Sequence, residues 1–320
     1  MNIRPFNDTD EDYIAWIDLS LAINPEVHLT VELLREDVRD CRAQNHEARF
    51  LGEVDDQVIA FGMNWQPSRK PDAPYEFSFS IHPEYRAGNV PQKMHDHLLT
   101  LIERENPSTI ASYPKENEPF RKELLEASGF DVKMRFPESR LSVEQVDLAT
   151  YEELMDKLQQ QGIEFVTLTD VMETDSEWQR NVWQMFSIIE RDIPSAEPEE
   201  PTSFEEYSEY YTEELFRPDS WIIAVDSGLT GAAKYVGMCV VNIMPTKPKS
   251  LYAGITGVIP SHRRRKIATV LKINSVKYAQ KHGYEYIETD NEENNPMYDL
   301  NMQLGFEPLP AVLYYRKEMS

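Results

Sequence analysis

The chain has few cysteines, no long apolar run and a shortage of basic residues. Its two cysteines, Cys41 and Cys239, lie far apart without metal-binding or redox spacing, so we expect a reducing compartment, the cytoplasm. Because no run of about 18 apolar residues occurs, and because residues 1–6 directly predict a strand, we expect no membrane-spanning helix, no signal peptide and no membrane partner. Lys and Arg number 32 against 56 Asp and Glu, which gives a net charge of -24. This acidic balance argues against DNA or RNA as a partner.

The basic residues that do occur are concentrated in residues 247–281, which hold nine of the 32 Lys and Arg and no Asp or Glu. Within this segment, the pattern predicts an apolar strand ending at Val258, a Pro-bounded turn, the cationic run 263–266 and an amphipathic helix. The N–H groups and dipole of a helix N-terminus, together with cationic side chains, favour a phosphate. A basic patch on the surface of a structural helix is the alternative interpretation.

The residues after this loop predict a βαβα unit. Ile267, Val270 and Leu271 recur at helical spacing, and Gly283 is placed as a C-cap. Residues 284–289 predict a strand, an Asn-rich turn follows, and residues 297–303 predict a second helix. A phosphate-binding loop at the first turn of such a unit is typical of a nucleotide-type cofactor site.

These motifs resemble the acetyl-CoA-binding core of the GNAT acyltransferases, whose signature is Arg/Gln-x-x-Gly-x-Gly/Ala. Arg263, Lys266 and Ala268 occupy three signature positions, and residues 294–306 resemble the family's closing helix and turn. The resemblance, which covers roughly residues 163–316, implies that loop amides hold the CoA pyrophosphate and that the preceding strand pairs with the pantetheine arm. It implies an acetyl-CoA site formed by Gly257, Val258, Arg263, Arg264, Arg265, Lys266, Ile267, Ala268, Asn291 and Asn294.

The loop departs from the family's pattern at two positions. Where the family has glycines, this chain has Arg264 and Lys266. Glycine lets the backbone approach the pyrophosphate closely, so these side chains either crowd the phosphate or contact it. We predict a working cofactor site rather than a decayed one, because the basic segment is retained.

Several sequence features occur twice with the same spacing. Arg86 corresponds to Arg263 and Gly129 corresponds to Gly305, with separations that agree to within one residue. We therefore predict an α/β fold, with mixed α+β sheets, of two tandem GNAT-like acyl-CoA N-acyltransferase domains. The predicted ranges are 1–147 for the N-terminal domain and 148–320 for the C-terminal domain, with a linking helix over 148–162.

The two predicted domains differ in their loops. In the first domain, Pro91 takes the place of Ala268, and proline has no N–H to donate to a phosphate. That loop also carries one arginine, Arg86, instead of three arginines and a lysine. We therefore predict that the N-terminal domain lacks a competent cofactor site and serves as a structural or acceptor-binding partner.

Acidic residues are concentrated in residues 190–214, which hold ten Asp and Glu, one basic residue and the aromatic residues Phe204, Tyr207, Tyr210 and Tyr211. The resemblance to the GNAT family implies that this region determines which acceptor is bound. Negative charge and aromatic rings attract and hold a small cationic amine, which is the acceptor that we predict. A solvated acidic loop is the alternative interpretation.

Acyl transfer to an amine needs a donor for the thioester carbonyl, a base for the ammonium and an acid for the leaving thiolate. As in the family, a backbone N–H of the strand ending at Val258 would serve the carbonyl. At the position where the family frequently has a tyrosine that acts as the general acid, this chain has Asn301. Tyr298, one turn earlier, is therefore the candidate acid. The alternatives are that Tyr298 serves only in packing and that solvent protonates the thiolate. The candidate bases are the carboxylates of Glu288, Asp290, Glu190 and Asp192.

The tandem arrangement is similar to the two-domain branch of the family that includes mycothiol synthase. The sequence therefore predicts a GNAT-type N-acetyltransferase that moves an acyl group from acetyl-CoA to a small cationic amine. A non-catalytic GNAT-like protein that binds a ligand or a partner is the alternative, favoured by Lys266 and by the missing tyrosine. The identity of the acceptor, the acyl-chain preference and the oligomeric state stay open.

Overall fold

The computed structural model describes residues 1–67, 73–196, 200–212 and 214–319. These residues form two compact units, each assembled from separate stretches of the chain. Each unit is built on a seven-stranded mixed sheet, in agreement with the predicted α/β class. The first unit comprises residues 1–136, 245–247 and 310–320, and the second comprises residues 137–244 and 248–309.

The first unit is a sheet covered by helices on both faces. Its elements are β1 (Asn2–Pro5), α1 (Asp10–Ile23), α2 (Val31–Gln44), β2 (Asn45–Val54), β3 (Gln57–Pro67), β4 (Tyr75–Ile81), α3 (Val90–Arg104), β5 (Thr109–Ser112), α4 (Pro119–Ala127), β6 (Asp131–Phe136) and the C-terminal β14 (Val312–Glu318). The strand order is β1-β2-β3-β4-β5-β14-β6, and β4 and β5 are parallel. Thr9 and Thr30 cap α1 and α2 through their hydroxyl groups, which is why these helices begin where they do.

The second unit repeats this plan. Its elements are β7 (Glu138–Ser142), α5 (Glu152–Gln160), β8 (Ile163–Thr167), α6 (Leu168–Thr174), α7 (Trp178–Glu190), α8 (Phe204–Glu209), β9 (Trp221–Asp226), β10 (Tyr235–Ile243), β11 (Ser250–Val258), α9 (Ile267–Lys281), β12 (Tyr286–Asp290), α10 (Pro296–Gln303) and β13 (Glu307–Pro308). The strand order is β13-β7-β12-β11-β10-β9-β8, with β11 and β12 parallel. Ile273 and Val276 of α9 pack on one face of the sheet, whereas Val182 and Met185 of α7 pack on the other.

Each sheet contains a strand that lies between two strands distant from it in the sequence. β14 lies between β5 and β6 in the first unit, and β7 lies between β12 and β13 in the second. The prediction instead placed a single cut after Asp147 and assigned the strand at residues 139–143 to the first domain. The difference arises because a strand's own residues encode its pleat but not which distant edge it pairs with.

Among the described residues, none of the helices combines the length and the apolar character that crossing a bilayer requires.

Candidate functional site

The parallel strands β11 and β12 separate after a short common stretch. Residues 250–252 pair with residues 286–288, after which β11 continues to Val258. At the point of separation, the buried Thr289 hydroxyl donates to the Ala253 carbonyl at 2.8 Å. A V-shaped opening therefore flanks the second half of β11.

A β-bulge in β11 lies at the apex of this opening. The pairing with β10 shifts between Ala253 and Thr256, so β11 has one extra residue there, and Gly254 lies within the bulge. Ile255, also within the bulge, packs in the cluster of α7, whereas the hydroxyl of the next residue, Thr256, contacts the Cys239 sulfur at 3.2 Å on the α9 side. Bulges of this kind re-aim side chains and are frequent beside active sites.

The open edge of β11 presents backbone N–H groups. The Ile259 N–H donates to the Val236 carbonyl at 3.0 Å, on the β10 side. Because N–H groups alternate along a strand, the amides of Val258 and Thr256 face the opposite, open edge. There the Val258 carbonyl accepts a hydrogen bond from Arg263 Nε at 2.8 Å.

Gly257 is the close-contact position of this strand. A Cβ placed there would lie 2.1 Å from Ile189 Cγ2, so α7 packs directly on the backbone of β11. The predicted site residue Gly257 thus serves the approach of the helix rather than a positive backbone angle.

The cationic loop keeps a glycine-like backbone at the two positions where the family has glycine. Arg264 has φ 62° and Lys266 has φ 67°, both in the left-handed region. For residues with a side chain this conformation costs roughly 1–2 kcal/mol each. The loop therefore has, at both positions, a backbone conformation that glycine adopts readily, while it carries two cationic side chains there.

The start of α9 is suited to an anion. Lys266 is the N-cap and makes no side-chain capping hydrogen bond, and no acidic residue lies in the first turn. The N–H groups of Ile267 and Ala268 therefore remain available to a ligand, and the helix dipole favours a negative one. Arg264 and Lys266 are exposed and make no ion pair with the described residues.

The other two loop arginines are engaged within the protein. Arg263 donates to the Asp192 carboxylate in addition to the Val258 carbonyl. Arg265 Nη2 donates to Gln161 Oε1 at 3.1 Å. Arg263 and Arg265 thus brace the loop, whereas the predicted contact with phosphate falls more naturally to their neighbours.

Three of the four candidate bases already accept hydrogen bonds from groups that would compete with an incoming proton for the carboxylate oxygens. Glu288 forms an ion pair with Arg140 at 2.8 Å, and Asp192 pairs with Arg263. Glu190 accepts hydrogen bonds from the backbone N–H and the hydroxyl of Thr202. Each of these three carboxylates is therefore already held by a hydrogen-bond donor of the protein.

The fourth candidate, Asp290, accepts a hydrogen bond from the hydroxyl of Tyr252. Burial, and then the neighbouring Asp290 carboxylate, raise the pKa of Tyr252, so its hydroxyl stays protonated across the neutral range. Sequence reasoning missed Tyr252, because its partner lies 38 residues away and its one signal is a position two residues before Gly254. This pair can accept a proton without first breaking an ion pair.

The polar residues of α10 and the turn before it are partly used for structure. The buried Asn301 donates to Asn291 Oδ1 at 2.7 Å. Asn294 is exposed and bonds to Glu292 through its backbone N–H and its side-chain amide, at 2.8 Å each. Tyr298 is half-buried, and its hydroxyl has no hydrogen-bond partner among the described residues.

A cavity of about 350 Å³ lies on the α7 face of the sheet, beside β10 and β11. It is called the aromatic cavity here, after the five rings of Phe186, Tyr207, Tyr210, Phe216 and Trp221. Met238, Val240 and Ile255 form its floor, and Asn242 supplies an amide group. Among the described residues, no carboxylate lines it.

The acidic segment therefore contributes rings to the cavity and charge to the surface around it. Tyr207 and Tyr210 line the cavity, while Glu205 and Glu209, their neighbours on α8 and at its end, are exposed. Three further carboxylates of the predicted segment, Glu197, Glu199 and Glu213, lie outside the described residues.

The equivalent opening in the first unit is occupied by protein. There, β4 and β5 pair over residues 75–77 and 110–112, and the Ser112 hydroxyl donates to the Phe77 carbonyl at 2.8 Å, as Thr289 does in the second unit. Buried Arg121 reaches Ser78 Oγ at 3.3 Å and Ser112 Oγ at 3.5 Å. A guanidinium group thus fills the space between the strands.

Comparison with known proteins gives a family match almost entirely within the second unit and structural likenesses over nearly the whole chain. Residues 182–306 match the acetyltransferase (GNAT) family, which confirms the predicted family resemblance. A GCN5-related N-acetyltransferase from Sphaerobacter thermophilus superposes with TM-score 0.71 at 17% identity, over 99% of this chain and 95% of that one. A tandem GNAT protein from the clavulanic acid biosynthesis pathway gives TM-score 0.71 at 18% identity, over 99% and 98% of the two chains. The predicted fold of two tandem GNAT-like domains is thereby confirmed.

A more distant likeness is the GCN5-related glucosamine N-acetyltransferase region of a fungal multi-domain β-N-acetylglucosaminidase. It superposes with TM-score 0.68 at 12% identity, over 98% of this chain and 38% of that one. No curated protein sequence matches the chain at a significant level.

Proposed function

We propose that this protein, which has the fold of two tandem GNAT-like domains, transfers an acyl group from acetyl-CoA to an amine in its second unit. The observation that carries the proposal is the opening between β11 and β12, which leads along the edge of β11 that is not paired with β12 to the start of α9, which has no side-chain cap. The GNAT match over residues 182–306 supports acyl transfer in general. A cytoplasmic location and the lack of a nucleic-acid or membrane partner stay predictions.

Acetyl-CoA would be held at two places. The pyrophosphate would lie against the first N–H groups of α9 at Ile267 and Ala268, with Arg264 and Lys266 adding positive charge. The pantetheine arm would pair with the open edge of β11, where the amide of Val258 is available. Asn291 and Asn294 lie at the end of β12 and in the next turn, and they are the predicted partners of the arm on the opposite side.

The proposed reaction uses the edge amide nearest the bulge. The Thr256 N–H lies closer along β11 to Tyr252 than the Val258 N–H does, so it is the donor that we assign to the thioester carbonyl. Such a donor stabilises the oxyanion that forms as the amine attacks. The ammonium first loses a proton to Asp290 through the Tyr252 hydroxyl.

The leaving group completes the balance. As the nitrogen bonds to the carbonyl carbon and the carbon–sulfur bond breaks, the thiolate takes up a proton from an acid, and the second proton of the nitrogen restores that acid. Tyr298 of α10 is the candidate donor to the thiolate, because its half-buried hydroxyl is not engaged by the described residues. Glu190 and Glu288 remain weaker candidates for the base, since each is held by another group.

The acceptor that we propose is an amine that is cationic in solution. The exposed carboxylates of residues 190–214 create a negative potential around the aromatic cavity, which raises the local concentration of cations. The basic loop at the start of α9 has the opposite sign, so the anionic cofactor and the cationic acceptor would approach different parts of the second unit.

A non-catalytic GNAT-like protein is the second candidate. Asn301 occupies the position where the family often has the tyrosine that acts as general acid. Its side chain is buried and donates a hydrogen bond to Asn291. Such a protein would bind acetyl-CoA, or a partner, without turning over any amine.

Calorimetric titration with acetyl-CoA is expected to give one bound molecule per chain. In the first unit, Arg121 fills the opening between the strands, and Pro91 has no N–H to donate. The second unit has both the opening between β11 and β12 and the N–H groups at the start of α9. Saturating acetyl-CoA should also raise the melting temperature, because a ligand at 100 times its Kd stabilises the native state by about 2.7 kcal/mol. A stoichiometry near two would contradict the asymmetry, and a titration without heat or stabilisation would contradict the proposed function.

Replacing both left-handed cationic residues, in an Arg264→Gly/Lys266→Gly variant, is expected to weaken acetyl-CoA binding by about 10- to 100-fold. Glycine keeps the positive φ of both positions and removes only the charges, so the stability of the fold should not fall. The affinity of the wild type should also decrease with rising salt, since exposed charges are screened over about 8–10 Å. Calorimetry at several salt concentrations measures both effects.

The matched control for this loop variant is Lys277→Ala/Lys281→Ala, which removes two exposed charges from the far end of the same helix. It should leave the affinity for acetyl-CoA within about twofold of the wild type, because it lies several turns from the predicted phosphate position. Tighter binding by the glycine variant would mean that the two side chains crowd the phosphate instead of contacting it.

A further inference from the structure

The aromatic cavity is large enough for a ring system. An apolar cavity of about 150 Å³ already binds benzene in another protein, and the aromatic cavity has about 350 Å³. Five of its lining residues are aromatic, and its floor is formed by Met238, Val240 and Ile255. Rings packed edge-on or offset against such walls gain contact that a linear polar chain does not.

The cavity also contains a buried polar group. Tyr207 lines it and is 1% exposed; its hydroxyl has no partner at good hydrogen-bond geometry among the described residues, and the neighbouring hydroxyl of Tyr211 is the polar group of the protein that interacts with it most closely. Burial raises the pKa of this tyrosine well above its usual value, so the hydroxyl is a neutral donor and acceptor. A polar atom of a ligand would satisfy it, which makes this cavity more than an unfilled apolar space.

The position of the cavity assigns its occupant to the acceptor side of the reaction. Asn242, which lines the cavity, is the register partner of Tyr252, whose hydroxyl is bonded to Asp290. Ile255, also in the lining, directly precedes Thr256 on the open edge. Since the base must lie beside the nucleophile, a group that fills the cavity belongs to the amine and not to the acyl chain.

We infer that the acceptor is an arylalkylamine, whose ring occupies the aromatic cavity while its amine lies between Tyr252 and the Thr256 N–H. This inference rests on the proposed acyl transfer. The amine gives one proton to Asp290, and its second proton restores the acid that protonates the leaving thiolate, as the amide bond forms and the thioester bond breaks. The exposed Glu205 and Glu209 attract the cationic form, and the rings of the cavity select it from other cationic amines.

The test compares amines that differ in the ring alone. Acetyl transfer is followed by thiol release with phenethylamine, tryptamine, ethylamine and spermidine as acceptors. We expect kcat/KM for the two ring-bearing amines to exceed that for ethylamine and spermidine by about 10- to 200-fold. Efficient use of spermidine together with poor use of both aryl amines would overturn the inference, while leaving acyl transfer itself established.

Two variants locate the ring. Val240→Phe fills the cavity from its floor, and Tyr210→Ala removes a ring from its partly exposed wall. Each should lower kcat/KM for tryptamine by about tenfold or more, while the Kd for acetyl-CoA stays at the wild-type value. Ile188→Ala is the matched control, because Ile188 is an exposed residue of α7 outside the cavity lining. Equal activity of all three variants with tryptamine would overturn the inference.

Two further outcomes separate the inference from the function that it rests on. If octanoyl-CoA is preferred to acetyl-CoA and Val240→Phe abolishes that preference, the cavity holds the acyl chain and the inference fails. If no amine is acetylated, binding of tryptamine is measured by thermal shift with the wild type and with Tyr210→Ala. Binding that the variant loses would support the ring site although the proposed transfer fails, and absence of binding would overturn both.

Discussion

Asp290→Asn is expected to lower kcat for acyl transfer by about two to four orders of magnitude, the usual contribution of a positioned general base. The asparagine keeps the size of the side chain and a hydrogen bond to Tyr252, but it cannot take up the proton of the ammonium. Acetyl-CoA binding should be retained, because Asp290 lies on β12 and not in the loop at the start of α9. Steady-state thiol release and calorimetry on the same variant separate the two effects.

The raised pKa of Tyr252 adds a second expectation to this experiment. Tyr252→Phe should reduce kcat in the same direction, because it removes the hydroxyl that connects the amine to Asp290. Asp299→Asn, an exposed carboxylate-to-amide change on α10, is the matched control. A larger loss from Glu190→Gln or Glu288→Gln than from Asp290→Asn would assign the base to another carboxylate.

Gly257→Ala is expected to destabilise the protein by about 1–3 kcal/mol, the usual cost of an extra methyl group in a packed interior. The new Cβ would lie 2.1 Å from Ile189 Cγ2, so either α7 or β11 must shift. Because β11 also forms the open edge of the site, acetyl-CoA affinity should fall together with stability. Urea unfolding measures the first effect and calorimetry measures the second.

Two comparisons show whether this contact is the cause. Gly254→Ala lies on the same strand, but its Cβ would meet its nearest neighbour, Asn242 Nδ2, at 3.7 Å, so it should cost much less. In a double-mutant cycle, Gly257→Ala should be less destabilising when Ile189 is already alanine, because the two residues are in direct contact. Equal costs in both backgrounds would mean that the clash with Ile189 is relieved elsewhere.

Local patterns in the sequence were sufficient for the loop and for the type of fold. The apolar run before Pro260 predicted a strand that ends at Val258, and the helical spacing after Lys266 predicted a helix that begins at Ile267; the structure has both bounds. The repeated spacing predicted two tandem domains, which the structural likenesses confirm. The loop and its flanking elements are encoded by neighbouring residues, and the repeat by a constant spacing, so both can be predicted without knowing what packs against them.

Local sequence patterns did not predict the backbone conformation at the two positions where the family has glycine. Arg264 and Lys266 could have changed the path of the loop, yet both adopt the left-handed conformation. The cost of that conformation for a residue with a side chain is small enough for the surrounding loop to impose it. Whether a substituted glycine keeps its backbone angle is therefore a property of the fold.

Charge composition and residue type determined that this protein has one basic loop in an acidic chain, and that its two loops differ in N–H donors and in positive charge. Only the tertiary structure decided which groups meet: Asp290 with Tyr252, Arg263 with Asp192, and Arg121 with the space between two strands. It also decided that β7 pairs with β12 and β13, and that β14 pairs with β5 and β6, all of them strands that lie far away in the sequence. The physical reason is the same in each case, since pairing across long sequence separations depends on the packing of whole elements and leaves no periodic trace in the chain.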